Sequence, residues 1–448
     1  MTPLFKLLYC LYRFSSGRWF WARRRFTRAG LAVLGGLILA ALLAPDTDHN
    51  VIYQALPLLL CLLAVSVSWV WSFKAPFAAT RLLPRFGTVG DPLNYRILVK
   101  NLSSKTYDGL TLLDNLADPR PSFEDFVALE RAERRALRSF RVSESPRARP
   151  FRLATVKEVA APPVAPNEEV EVPVVLTPPR RGVLRFTGVT LARPDPLGLV
   201  RAVATVPLPQ SVLILPRRYP VASIALPGTA KYQEGGVALA SSVGQSDEYV
   251  ALRDYRHGDP LRHIHWRSWA RVGHPVVKEF EDEFFVRHAL VLDTFTDPMH
   301  SDVFEEAVSV AASFACALPT QESLLDLLFV GPQSYCFTAG RGVAHVEQML
   351  EVLASVRACT DQPFRALEHL VLSHVKAVSG CICVLVAWDE ERRNFVEKLR
   401  GLGLPLRALV IVPPGGSPAL DPGPLRDEPD RFSVLEAGQV EAGLAQLK

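Results

Sequence analysis

Two apolar stretches near the start of the chain constrain it most. Residues 29–44 carry no polar side chain, and residues 51–73 carry no charge. A bilayer core about 30 Å thick needs roughly 20 helical residues. The second stretch meets that length, and the first approaches it when Phe26 and Thr27 extend it. The link Pro45-Asp46-Thr47-Asp48-His49-Asn50 leaves room only for a turn, so the pair reads as an antiparallel transmembrane hairpin over residues 29–73. Trp69 and Trp71 suit the aromatic belt at a membrane interface. A signal peptide also joins a basic start to an apolar run, but a second, longer span following at once argues against cleavage.

Charge gives the hairpin a direction. The 448 residues carry a formal net charge of +4, which by itself invites a nucleic-acid reading. Position removes it. Residues 1–28 hold Lys6, Arg13, Arg18, Arg23, Arg24, Arg25 and Arg28 and no acid, while the turn at 45–50 has no cation. The remainder from Lys74 onward has 43 basic and 44 acidic residues. The positive-inside rule then puts both chain ends, and the soluble domains, in the cytoplasm. Residues 1–28, a basic aromatic arm rich in Phe, Tyr and Trp, read as an interfacial segment on anionic lipid. Membrane lipids are therefore partners of residues 1–73, and nucleic acid is not expected.

A composition of 49% hydrophobic and 21% charged residues supports packed domains and excludes a disordered chain. The seven cysteines form no CxxC pair and suit neither a disulfide framework nor a zinc site. Cys381 and Cys383 alternate in an apolar, strand-like run and read as buried thiols. Residues 77–217 read as a β-sandwich, with short alternating runs split by Gly, Pro and Asn. An insertion near 120–157 is charged and alanine-rich, and from 123 to 138 it reads as a helix or a mobile segment. From 286 to 448 strands alternate with helices. Strands are expected at 288–293, 323–330, 334–338, 381–388 and 406–412. Helices are expected at 302–318, around 346–353, and at 363–374 and 390–401, with a short amphipathic helix at the end. Asp302 with Glu305 is the expected N-cap of the first. The pattern implies a mostly parallel, doubly wound sheet with one antiparallel edge strand.

Between them, residues 218–285 hold the densest chemistry. Arginines alternate with carboxylates around Gly258-Asp259, and Trp266 and Trp269 follow with a basic face. Such a mix locks loops through bidentate Arg–carboxylate pairs or forms an anion-binding surface. The blocks Glu248-Tyr249, Leu252-Arg253-Asp254-Tyr255, Gly258-Asp259, Arg262-His263-Ile264-His265-Trp266 and Ala270-Arg271 resemble the DUF58 family. Upstream, Arg180-Arg181-Gly182, Asp195-Pro196-Leu197-Gly198-Leu199 and Leu215-Pro216-Arg217 match too. Two positions depart from the family pattern: His265 stands where Asp is usual, and Trp269 where a small residue is usual.

The resemblance implies a membrane-anchored α+β protein of the bacterial cytoplasmic membrane. It would comprise the two-span hairpin, the β-sandwich and a C-terminal domain similar to a von Willebrand factor A domain. It also implies a MoxR-type AAA+ ATPase as partner, with Glu248, Tyr249, Arg253, Tyr255, Gly258, Asp259, Arg262, Trp266, Ala270 and Arg271 as structural or partner-binding residues. A-type domains often hold Mg²⁺ through an Asp-x-Ser-x-Ser run, a Thr and a further Asp. The corresponding residues here are Asp293, Asp297, Thr360 and Asp389, with Phe295 at a position that cannot ligate. No other cofactor is implied.

No P-loop, GxSxG or HExxH run is present. The expected function is a non-catalytic scaffold or adaptor in assembly or maturation of protein complexes. The alternative is a metal-dependent membrane enzyme using the Asp293/Asp389 crevice or the histidine-rich loop 257–274.

Overall fold

The computed structural model describes residues 2–43, 51–73, 75–118, 120, 122–123, 126–127, 154–221, 249–259, 261–280, 286–296, 301–317, 323–340, 346–415 and 420–447. The chain divides into two compact units, Met1–Arg217 and Arg218–Lys448.

The first unit begins with three helices, α1 (Thr2–Arg25), α2 (Arg28–Leu43) and α3 (Val51–Ser72). Among the described residues α3 alone is long and apolar enough to cross a membrane, and α2 is apolar but shorter. The two pack together, Gly36 lying opposite Leu59. The link at 45–50 lies outside the described residues. The basic arm is α1 itself. Leu7, Leu11, Phe14 and Trp21 are exposed along it, with the guanidinium of Arg18 4.4 Å from the Phe14 ring centre.

Among the described residues nine strands follow: β1 (Phe77–Leu82), β2 (Phe86–Thr88), β3 (Leu93–Asn101), β4 (Thr111–Leu116), β5 (Thr155–Val156), β6 (Val159–Ala160), β7 (Glu169–Thr177), β8 (Gly182–Pro194) and β9 (Arg201–Leu215). They form two sheets, ordered β1-β3-β7-β5 and β2-β9-β8-β4-β6. Alternate residues turn inward, as the period of two requires: Leu93, Tyr95, Ile97 and Val99 of β3 join Val172, Val174 and Leu176 of β7 and Leu184 and Phe186 of β8 in one core. A buried ion pair ties the sheets together. Arg81 of β1 donates from Nε to Oδ2 of Asp114 in β4 at 3.1 Å, and Tyr95 Oη donates to the same oxygen at 2.6 Å. Burial pushes the Asp114 carboxyl up, against the pull of Arg81 and Tyr95.

The sandwich is not wholly antiparallel, because β2 pairs parallel to β9. Gly87 makes room for this: a Cβ there would lie 2.8 Å from Ile214 Cδ1. In the insertion only residues 120, 122–123, 126–127 and 154–157 are described. Phe123 and Phe126 pack on Tyr9, and Arg120 Nη1 donates to the Arg13 carbonyl at 3.1 Å.

In the second unit, β10 (Tyr249–Asp254) and β11 (Val276–Phe280) form a two-stranded antiparallel sheet, with α4 (Trp266–Val272) between them in sequence. The remaining strands are β12 (Val286–Leu292), β13 (Ser323–Val330), β14 (Ser334–Ala339), β15 (Gly380–Leu385), β16 (Leu406–Val412) and β17 (Phe432–Glu436). The remaining helices are α5 (Asp302–Ala317), α6 (Val346–Ser355), α7 (Arg365–His374), α8 (Glu390–Gly401) and α9 (Val440–Ala445). One sheet runs β14-β13-β12-β15-β16-β17. Every pairing in it is parallel except the β13–β14 hairpin at one edge.

One face of this sheet packs on α7 and α8 through Leu367, Val371, Phe395, Val396 and Leu399, with Cys381 and Cys383 buried beneath. The other packs on α5, whose Phe304, Val308, Ala311 and Ala315 are buried at the expected helical spacing. The helix starts differently from expectation. Asp302 lies inside it, and the carbonyl of Ser301 accepts the Glu305 amide at 3.1 Å, so Ser301 holds the capping place. The strand expected to reach Trp388 ends at Leu385, where the chain turns to present Asp389.

Candidate functional site

Three places gather the residues singled out by sequence. The first is the signature module of β10, β11 and α4. Val276 and Val277 are β-branched and buried, on opposite faces of β11, and Ile264, also buried, pairs with Val277 in an isolated bridge. Gly258 and Gly273 take positive φ, 111° and 81°, where the chain turns and where α4 ends. Arg253 grips Asp259 with both Nη atoms, at 2.7 and 2.8 Å, and the Arg256 amide adds a bond of 2.8 Å. The Arg253 fork, followed by that amide, holds the Asp259 carboxyl down at about 2. His274 Nε2 meets Asp254 Oδ1 at 2.9 Å. The bidentate pair expected from sequence is thus the lock of this loop.

His265 occupies the N-cap position of α4. Its carbonyl accepts from Trp269, and its Nδ1 meets Ser268 Oγ at 2.7 Å, without capping the helix through its side chain. An Asp there would accept the free amides of the first turn, which gives the family residue a physical role. The second departure also has a partner: Trp269 stacks on Trp266, with ring centres 5.2 Å apart and planes 18° apart. Trp266 is 65% exposed and Leu261 67% exposed, and Arg256, Arg262, Arg267 and Arg271 are all on the surface. Tyr255 is half-buried and Ala270 exposed. Glu248 lies outside the described residues, and Tyr249 begins β10.

The second place is the crevice at the ends of β12 and β15. Asp293 is completely buried. It does not cap a helix; it accepts the amides of Phe295 at 2.9 Å and Val386 at 3.2 Å. Its third donor is Arg392 Nε at 2.6 Å. The same guanidinium gives Nη1 to Asp389 at 2.5 Å and Nη2 to the Phe295 carbonyl at 2.9 Å, and lies 4.8 Å from the Phe364 ring centre. Asp389 also caps α8, accepting the Arg392 amide at 3.1 Å. Burial works against the Arg392 cation, but Asp293 and then Asp389 more than offset it, so its affinity for the proton rises.

These residues do not fit a divalent cation as they stand. Both described carboxylates already face a guanidinium, Phe295 offers only a carbonyl that Arg392 takes, and Thr360 Oγ1 turns to Asp361 at 3.2 Å. Asp297 lies outside the described residues. Among the described residues no group of three or more His, Cys, Asp or Glu is placed to hold a metal, the histidines of 257–274 included. Sequence reasoning passed over Arg392, although its place three residues after a strand-ending Asp was the available signal.

The third place is in the first unit. The block Asp195-Pro196-Leu197-Gly198-Leu199 is the turn between β8 and β9. Asp195 is buried and accepts the amides of Leu197, Leu199 and Val200, at 3.2, 2.6 and 2.8 Å. Gly198 has φ 67°, as a tight turn needs. The turn then binds the start of α2: the Leu199 carbonyl accepts the Thr27 amide at 3.0 Å. Sequence reasoning gave this block no role, since its partner lies about 170 residues away.

Residues 251–390 match the model of a family described as DUF58, protein of unknown function. The uncharacterized protein YeaD of Bacillus subtilis is 31% identical over 178 residues, a match covering 39% of this chain and 42% of that protein. The chain therefore spans less than half the length of this curated relative. Among solved structures, the crystal structure of the CARDB domain of a Pyrococcus furiosus protein in complex with di-metal ions is 16% identical. That match covers 31% of this chain and 93% of that one, with a TM-score of 0.17. A solution NMR structure of the same domain is 12% identical, covering 31% and 94%, with a TM-score of 0.16. Likenesses at this level carry no weight for fold or metal. The ordered signature blocks, the match over 251–390 and the Bacillus relative together support a DUF58 family protein.

Proposed function

We propose that the chain is a membrane-anchored adaptor that binds protein partners and catalyses nothing itself. Residues 29–73 span the bacterial cytoplasmic membrane as a hairpin, α1 lies on anionic lipid, and both chain ends and both soluble portions are cytoplasmic. The six-stranded sheet with its β13–β14 edge hairpin supports the likeness to a von Willebrand factor A domain, which serves as an interaction module.

One observation carries the partner claim: Trp266, 65% exposed and stacked on the half-buried Trp269, shares with the exposed Leu261 and four surface arginines a module locked by Arg253 and Asp259. Aromatic residues and Arg on a rigid support are the composition of protein-binding hot spots. Cationic rims favour an acidic partner surface. By family resemblance that partner is a MoxR-type AAA+ ATPase, acting in assembly or maturation of protein complexes. The metal-dependent enzyme reading draws no support from a crevice filled by Arg392.

Co-purification from native membranes tests the proposal. The full chain should retain an AAA+ ATPase, and Trp266→Ala with Trp269→Ala should release it while the chain stays in the membrane. Retention by the double variant would remove this face from the interface.

A further inference from the structure

We infer that Arg392 is the built-in cation of the Asp293 crevice, standing where a divalent ion would bind and excluding it. The guanidinium meets three oxygens that a cation at these strand ends would face. Two are carboxylates, one closing β12 and one following β15, and the third is the carbonyl of Phe295, midway along the Asp293–Asp297 run. Each of its three nitrogens serves a different acceptor, at 2.6, 2.5 and 2.9 Å. A planar, weakly hydrated, permanently charged fork is the side chain best suited to such a buried place. Doubly wound sheets open a crevice at the carboxyl ends of their strands, so a side chain there stands in the position a ligand would take.

The plug is held from both sides. Asp389 fixes the backbone of Arg392 at the start of α8, and Phe364 lies beneath the guanidinium. Phe295, at the position unfit for ligation, packs edge-on against Phe364, with ring centres 5.6 Å apart, and Phe364 packs likewise on Phe395 of α8. The aromatic residue that removes a ligand therefore also builds the seat of the arginine. With Arg392 only 5% exposed and Asp293 fully buried, the crevice offers the Asp293 carboxylate to no ion from solution, while Asp389 stays half-exposed at its mouth. Removing the guanidinium leaves two carboxylates and a carbonyl aimed at one point, a set of hard oxygens of the kind Mg²⁺ and Mn²⁺ accept.

The test uses the full chain in lipid nanodiscs, with Mn²⁺ read by the loss of its free spin-resonance signal and Mg²⁺ by thermal shift. The native protein should leave Mn²⁺ free and its unfolding temperature unmoved by Mg²⁺. Arg392→Ala should take up one Mn²⁺ per chain and regain stability with Mg²⁺, and adding Asp293→Asn should abolish both effects. Uptake of Mn²⁺ by the native protein that Asp293→Asn removes would overturn the inference, as would a folded Arg392→Ala variant that takes up none. Should Arg392→Ala fail to fold, Arg392→Gln with and without Asp293→Asn decides. Partial restoration of folding in the double variant is expected, whereas equal or greater loss would show that the guanidinium is not there to answer the carboxylate.

Discussion

The hydroxyl of Thr27 donates to the carbonyl of Gly198 at 2.5 Å while accepting the amide of Gly30 at 3.0 Å. One side chain thus caps α2 and ties it to the Asp195 turn of the sandwich. A Cβ on Gly30 would lie 1.9 Å from the Leu199 carbonyl oxygen, so the approach depends on glycine. Gly30→Ala should break this clasp, seen as faster amide exchange at Thr27 with little change across β3 and β7. Unchanged protection at Thr27 would show the contact to be dispensable.

Asp195→Ala should cost more, because it strands three amides in a buried turn. An unsatisfied buried donor costs about 1–3 kcal/mol, so a loss on the order of 3 kcal/mol is expected in thermal unfolding of the first unit.

Arg81 and Asp114 bridge the two sheets of the sandwich with no exposed side-chain surface. Arg81→Met leaves a buried carboxylate without its cation, at a cost of about 3–5 kcal/mol. Arg81→Met with Asp114→Leu should recover part of that loss, measured as unfolding temperature. A double variant worse than the sum of the singles would contradict the pairing.

The signature module should respond to acid in a defined window. Asp259 is depressed from 3.8 to about 2 by Arg253 and the Arg256 amide. A depressed acid contributes stability that is present above the unfolded value and lost as pH falls through the folded one. Protection of the Asp259 and Tyr255 amides should therefore decline between about pH 4 and pH 2. Asp259→Asn should start lower and lack that decline.

His265→Asp should strengthen α4 by restoring an acceptor for the first-turn amides, worth about 1 kcal/mol. Slower exchange of the Arg267 amide would show it, since the Ser268 amide already donates to the His265 carbonyl, and no change would assign the usual family residue another role.

Local pattern made much of this fold legible. The spacing of Phe304, Val308, Ala311 and Ala315 marked a one-sided helix, and the helix over 390–401 had its start at Asp389 and its polar face in plain view. What the sequence hid was pairing across distance. Strand β17 is five residues of mixed polarity behind a Pro- and Asp-rich run, and only its neighbour β16 makes it a strand. The parallel pairing of β2 with β9 joins residues about 125 apart, which no periodicity records. Asp293 and Asp389 are pointed to as convergent carboxylates by the likeness to an A-type domain. Arg392, which answers both, is a tertiary contact, and only its spacing from Asp389 hinted at it. The Thr27–Gly198 clasp was hidden for the same reason.

A photo-reactive residue at position 261, exposed on the same module as the tryptophan stack, tests the adaptor reading most directly. In cells making the full chain it should crosslink to an AAA+ ATPase, and Trp269→Ala with Arg271→Glu should remove that crosslink while the chain remains in the membrane. Crosslinks that reach no ATPase, or that persist unchanged in the variant, would contradict a partner docked on this face.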